Sequence, residues 1–222
     1  MSMEPLVYYA GIGSRKTPRA VIAAMRTIGA VMASNGFSLR SGGAEGADSA
    51  FEAGCDAVGG PKEIFLPRNG FEGRHASESD PSRNRFVFAD PPTAAATAMA
   101  ALHHPRWDIL DHTSRLLHSR NCHQVLGRNL DSPDKLVICF TKDATGEGGT
   151  GQALRLSNAK GIKIVDLGAF RLADLDSAWA AIEAVVGRLE GKAPLSFVAP
   201  LPAPPLFVPP APAPRAQLDL FS

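Results

Sequence analysis

Cysteine is scarce in this chain. Three occur in 222 residues, an odd number with no CxxC spacing. That excludes a disulfide framework and leaves a structural zinc site without recognisable ligand pairs. An excess of one charge is also missing: 23 Lys+Arg stand against 22 Asp+Glu, a formal net charge of +1. A globally basic nucleic-acid coat is therefore ruled out, while a local basic groove stays open. No run approaches the roughly 18 uninterrupted apolar residues that a membrane span needs. The first residues, Met1 to Pro5, carry no basic segment followed by an apolar one, so no secretory signal is visible and a cytoplasmic location is expected.

Proline is abundant instead, and unevenly placed. Nine of the 18 prolines lie between Pro194 and Pro214, in a stretch of Pro, Ala, Leu, Val and Phe that meets no charge until Arg215. Proline at that density removes ladder and helix donors and favours extended polyproline II. At ~3.1 Å per residue such a segment reaches on the order of 65 Å when fully extended. Residues 1–190 are expected to form the folded domain, 191–216 a Pro-rich linker, and 217–222 a terminal apolar peptide. A short apolar cluster beyond such a spacer is expected to serve as a ligand for another protein.

Within 1–190, strand and helix signals alternate. Leu6 to Ala10 reads as a buried strand ending at Gly11. A helix follows with Thr17 as N-cap and Pro18 at its first position, an apolar stripe of Val21, Ile22, Met25, Ile28 and Met32, and Gly36 at its C-terminus. Further strands are expected at Phe37–Leu39, Glu63–Leu66, Lys135–Phe140 and Ile162–Val165. Helices are expected at Gly46–Val58, from near Thr150, and at Leu172–Leu189. Glu72 to Asp90 is polar and without period, so it reads as a long excursion or mobile flap, and Thr93 to Leu102 as an alanine-rich helix. The alternation predicts a Rossmann-like α/β fold, a doubly wound parallel sheet flanked by helices.

The glycines carry the chemical signal. Gly11-Ile12-Gly13-Ser14-Arg15 follows the first strand, Ser41-Gly42-Gly43-Ala44-Glu45-Gly46 the second, and Gly146-Glu147-Gly148-Gly149-Thr150-Gly151 the strand that ends at Phe140. In a parallel sheet all three turns lie on the carboxyl edge and converge on one crevice. Each leads into a helix N-terminus, which favours an anion such as phosphate. The first loop is not GxGxxG, because Lys16 holds the last glycine position, and no loop reads GxxxxGK[ST]. The dehydrogenase and P-loop readings both lose ground. Among the other chemistry-bearing residues, His118 and Cys122 share a helix face but lack further ligands, so no metal is expected. Cys139, inside an apolar strand, reads as core. Arg74, Arg83 and Arg85 are candidates for contacts with a DNA backbone.

Together, the Gly11–Arg15 loop, Ser41 to Asp48, Arg120-Asn121 and Gly149-Thr150-Gly151-Gln152-Ala153 resemble the DNA-processing protein A (DprA/Smf) family. Its wider superfamily of Rossmann-like domains includes the LOG cytokinin-activating enzymes. The resemblance spans about Val7 to Leu167 and is nearest to the DprA-like proteins of phages and mobile elements. It implies single-stranded DNA or a nucleotide as ligand, with recombinase loading as the family's activity. It places ligand contacts at Gly11, Gly13, Ser14, Arg15, Ser41, Gly42, Gly43, Glu45, Gly46, Asp48, Arg120, Asn121, Gln124, Gly148, Gly149, Thr150 and Gln152. Two departures stand out. DprA proteins usually carry Arg where this chain has Glu45, and LOG enzymes carry Glu where it has Ala153. A DprA-type binding protein is thus the first reading. A LOG-type nucleotide N-glycosidase or hydrolase, using Glu45, Asp48 or Glu147 as acid or base, is the second, and a non-catalytic nucleotide sensor or adaptor is the third. No catalytic residue is assigned. A bound nucleotide is the one cofactor considered, no membrane partner is expected, and self-association stays open.

The terminal Gln217-Leu218-Asp219-Leu220-Phe221 resembles the pentapeptide, commonly QL(S/D)LF, that docks replication and repair proteins on the DNA polymerase III β sliding clamp. Gln217 can hydrogen-bond at a pocket rim, while Leu220 and Phe221 offer apolar bulk to a cleft. The clamp is accordingly an expected partner.

Overall fold

The computed structural model describes residues 6–76, 80–171, 175–193 and 195. Residues 196–222, with most of the Pro-rich segment and the whole Gln217–Phe221 peptide, lie outside the described residues.

Six parallel strands form one sheet in the order β4-β3-β2-β1-β5-β6. They are β1 (Val7–Gly11), β2 (Phe37–Ser41), β3 (Lys62–Phe65), β4 (Arg85–Phe88), β5 (Leu136–Cys139) and β6 (Lys163–Asp166). The helices are α1 (Arg19–Ser34), α2 (Ala47–Ala57), α3 (Ala94–His103), α4 (His112–Leu126), α5 (Gly151–Ala159) and α6 (Ser177–Val186). The period-2 alternation of strand side chains sends successive residues to opposite layers. Tyr9, Leu136 and Ile138 join α1, α2 and α6 in one core. Ala10, Val137 and Cys139 join α3, α4 and α5 in the other. Both faces of the sheet are therefore covered, which is why β5 reads as a continuous apolar run.

The α1–α2 contact depends on two residues without side chains. A Cβ at Gly54 would fall 2.0 Å from the Arg26 carbonyl oxygen, and one at Gly29 would fall 2.4 Å from that of Phe51. Small residues here let the two helix backbones touch, which seats Phe51 edge-on to Tyr9 with ring centroids 6.4 Å apart.

The local expectations need three corrections. Thr17 does not cap α1. Its Oγ1 donates to the Ser14 carbonyl at 2.8 Å, closing the first glycine loop, and Pro18 takes the N-cap position. The segment 72–90 is not all excursion, for it contains β4, pairing Lys62 with Arg85 through Phe65 with Phe88. Four residues flanked by arginines are too short for a legible period, and pairing with β3 decides the matter. The last helix is shorter than 172–189: it starts at Ser177 and stops at Gly187, whose φ of +88° turns the chain away. Beyond it, Leu189 and Leu195 are both buried against the first core.

The chain steps outward from β1 through β2 and β3 to β4, then returns to place β5 beside β1. That reversal opens a crevice at the carboxyl ends of β1 and β5, where open α/β sheets bind ligands.

Candidate functional site

The crevice is a cavity of about 360 Å³, within the range of small-ligand sites. Of the residues expected there, Gly13, Ser14, Arg15, Asp48, Arg120, Asn121, Gln124, Gly149 and Thr150 line it. They come from the loop after β1, the start of α2, the buried half of α4 and the loop before α5. Gly11, Ser41, Gly42, Gly43, Glu45, Gly46, Gly148 and Gln152 do not line it.

Several of those residues support the site from behind. Ser41 Oγ donates to the Gly11 carbonyl at 2.7 Å, tying β2 to β1. Gln152 is fully buried, and its Nε2 meets Cys122 Sγ at 3.5 Å. Gly42 makes room for an arginine, because a Cβ there would fall 1.0 Å from Arg120 Nη1. Its lack of a side chain is thus explained by packing inside the protein, and so is that of Gly11 and Gly13, whose Cβ positions meet Phe51 and Ala47 within 2.6 Å. Gly43, Gly46 and Gly148 have φ of +68°, +88° and +76°, backbone that L side chains rarely adopt.

Gly149 differs from all of these. Its φ is not positive, and nothing lies within 4 Å of where a Cβ would stand. It faces the cavity, and no protein contact demands glycine there.

Helices α2 and α5 both begin without a side-chain cap, their first N–H groups held by loop carbonyls. The Ala47 N–H donates to the Ser14 carbonyl at 3.4 Å, so the first loop closes the N-terminus of α2. At α5 the Gly151 N–H likewise donates to the Gly148 carbonyl, at 3.2 Å. The positive end of the α5 dipole stands beside Gly149 and Thr150, which line the cavity wall.

Asp48 organises the other wall. Its Oδ1 accepts from the Gly13 N–H at 3.3 Å, and its Oδ2 from the Ala44 N–H at 3.4 Å and Arg120 Nη1 at 3.3 Å. One carboxylate thus joins both glycine loops to α4. Burial pushes the Asp48 carboxyl upward, opposed by Arg120 and then by the two N–H groups. Burial also weighs against the charge on Arg120, and Asp48 supports it. The pair is dry, with both side chains at most 6% exposed. Arg120 Nε has no protein partner, and neither do Gln124 Nε2 and His118 Nδ1. Three polar groups on one helix, all nearly excluded from solvent, thus retain hydrogen-bonding capacity beside the cavity.

Arg15 approaches from the rim and pairs with Glu72 at 2.5 Å. Lys16 lies on the same wall. Three cationic side chains and one carboxylate therefore line the crevice. The flap arginines make no such contribution. Arg74 grips Glu52 through both Nη atoms, at 2.5 and 2.6 Å. Arg85 pairs with Asp56 and donates to the Gly60 carbonyl. It begins β4, so it sits on the sheet edge away from the crevice.

The sequence reading missed Ile12, Lys16, Ala44, Ser114 and Leu117, and weighed His118 only as a metal ligand. His118 lines the crevice at 8% exposure, its ring centroid 4.4 Å from that of His104. Burial, with lesser help from His104, Arg155 and Arg120, lowers its pKa to about 4, so it is neutral at pH 7. The polar run Ser119-Arg120-Asn121-Cys122-His123-Gln124 is wholly buried. A buried stretch that polar, at the end of a sheet, is itself a site signal. Among the carboxylates considered as acid or base, Asp48 alone lines the cavity, and it is held by Arg120. Glu45 and Glu147 are exposed outside it. Among the described residues no cluster could hold a metal ion, and no helix is long and apolar enough to cross a membrane.

No protein-family model matches this chain, and no curated protein matches it. Solved structures of similar fold include the molybdenum cofactor (Moco) carrier protein of Chlamydomonas rheinhardtii, at 14% identity and a TM-score of 0.46, covering 83% of this chain and all of that one. DNA processing protein A of Helicobacter pylori, whose single-stranded DNA binding mode is described, is similar at 16% identity and a TM-score of 0.48, over 72% of this chain and 64% of that one. DprA of Streptococcus pneumoniae is similar at 13% identity and a TM-score of 0.44, over 81% and 56%.

Proposed function

We propose that this chain is a DprA-like binding protein for the phosphate of a 5′-nucleotide unit, taken either as a free nucleotide or as part of a single DNA strand. The observation that carries the reading is Gly149, a glycine that no internal contact or backbone angle requires. It lies beside a helix N-terminus that has no side-chain cap, across a cavity from a buried arginine. A phosphate approaching the Gly149 and Thr150 N–H groups needs the space a Cβ would fill, and Arg120, Arg15 and Lys16 supply the countercharge. The distribution of charge favours few phosphates, because Arg74 and Arg85 are neutralised within the protein.

The chain's end extends the proposal. Docking of Gln217, Leu218, Asp219, Leu220 and Phe221 on the DNA polymerase III β sliding clamp is supported by the sequence match alone. A proline-rich spacer would hold the domain near DNA while the peptide stays bound, raising its local concentration.

Titration with a nucleoside 5′-monophosphate and with a short oligodeoxythymidylate, each across a range of salt, tests the reading. Binding is expected for at least one. A strand lying in the crevice loses affinity with salt at a log–log slope of about −0.7 per phosphate neutralised. Tight mononucleotide binding with a shallow slope identifies the free nucleotide as the source. Failure of both at low salt overturns the proposal.

A further inference from the structure

Arg120 lines a second cavity as well as the first. This one, about 210 Å³, lies at the carboxyl ends of β3 and β4, with Phe65, Phe88, Pro92, His123 and Arg128 in its walls. We infer that it is a subsite for a planar ring, the nucleobase attached to or next to the phosphate in the glycine crevice. The inference rests on the nucleotide reading above and adds where the base is held.

The walls are flat. Phe65 and Phe88 are stacked, with centroids 5.1 Å apart and planes 23° apart. The His123 ring stacks on Phe65 at 5.7 Å and 25°. The Arg128 guanidinium lies 4.7 Å from the Phe88 centroid. Rings, an imidazole and a guanidinium in one small cavity suit the π-face of a base, a sequence-tolerant contact. The cavity is smaller than the roughly 300–1,000 Å³ of sites for a drug-sized ligand, so it accepts a fragment and not a whole molecule.

Polar groups at the mouth can read a ring edge, namely the exposed Asp90 and Asn129. His123 Nδ1 faces the Gly127 carbonyl at 3.2 Å, which places the proton on Nδ1 and leaves Nε2 an acceptor. Arg128 is free to change partners. Its pairing with Asp90 at 3.4 Å joins side chains 62% and 78% exposed, and such pairs hold weakly. It can therefore close over an incoming ring. Arg120, shared by both cavities, stands where phosphate and base would connect.

The test compares ribose 5-phosphate, deoxyadenosine 5′-monophosphate and deoxyadenosine on the intact chain and on Phe88→Leu and Arg128→Ala. The monophosphate is expected to bind roughly tenfold or more tighter than ribose 5-phosphate. Each variant should remove most of that gain and leave ribose 5-phosphate binding unchanged, which also shows that the variants are folded. Equal affinity for the two phosphates in the wild type overturns the ring subsite, as does a gain that survives both variants. Should neither phosphate bind, the phosphate reading fails by itself. Weak deoxyadenosine binding lost in Phe88→Leu would then still support the ring subsite, and no deoxyadenosine binding would overturn it as well.

Discussion

Replacing Gly149 by valine separates the needs of a ligand from those of the fold. The position has no protein atom within 4 Å of a Cβ, and its φ is one that L residues adopt. Added atoms therefore enter the 360 Å³ cavity without displacing the protein. Removing a glycine at a compatible position also restricts the unfolded chain, a gain of about 0.4–1 kcal/mol. For a chain of this size that raises Tm by up to roughly 4 °C. Binding should move the other way. A branched side chain over the Gly149 and Thr150 N–H groups blocks charge-assisted hydrogen bonds that contribute roughly 1.5–3 kcal/mol each, a loss of tenfold or more per bond. Gly42→Ala supplies the contrast, since its Cβ would fall 1.0 Å from Arg120 Nη1 and must push that side chain off Asp48. Breaking such a buried pair costs about 3–5 kcal/mol. Thermal melts and calorimetric titration with a nucleoside monophosphate read both quantities. A folded Gly149→Val with unchanged affinity would refute the reasoning, as would a Gly42→Ala as stable as the wild type. Gly43→Val is a poorer probe, because φ of +68° and contacts to Leu66 and Arg74 make it strained without any ligand.

Three further outcomes are expected. Arg120→Met leaves the Asp48 carboxylate buried with two long backbone contacts, so urea unfolding should show a loss of about 3–5 kcal/mol at unchanged m-value; a loss below about 1 kcal/mol would mean that the pair is effectively hydrated. His118, with its folded pKa lowered to about 4, stays neutral while its unfolded counterpart takes up a proton near pH 6.5. Stability should therefore be at its full value above pH 6.5 and fall towards pH 4 by up to about 3 kcal/mol, and His118→Asn should flatten that slope in a pH series of melts. The isolated tail peptide should bind the sliding clamp in the micromolar range, and the full chain should lose clamp binding when Gln217, Leu220 and Phe221 are all changed to Ala; equal binding of native and triple-variant chains would dispose of the tail's assigned role.

Much of the architecture was legible because it follows from local patterns. Buried strands ending in glycine loops, each followed by a helix, leave few topologies open, and the parallel strand direction they imply as a rule brings the loops to one edge. The convergence of Gly13, Arg15, Asp48 and Gly149 on one crevice follows from that rule together with the return of β5 to β1. Strand β4 was not legible, because its four residues owe their extended form to β3. The division of labour among glycines was hidden for a similar reason. Nothing local distinguishes Gly42, which yields its space to a side chain 78 positions later, from Gly149, which yields its space to the cavity. The role of α4 is also a tertiary matter. A helix of weak amphipathicity becomes a buried polar wall only because the sheet edge and two loops close over it. The partners of Arg74 and Arg85 were not legible either, because Glu52 and Asp56 on α2 meet them only in the fold.

A crystal structure of the chain with a nucleoside 5′-monophosphate tests the central claim most directly. The account places the phosphate within hydrogen-bonding distance of the Gly149 or Thr150 N–H groups and on the Arg120 side of the crevice. A phosphate bound elsewhere on the domain, with the crevice between Gly149 and Arg120 left to solvent, would contradict it.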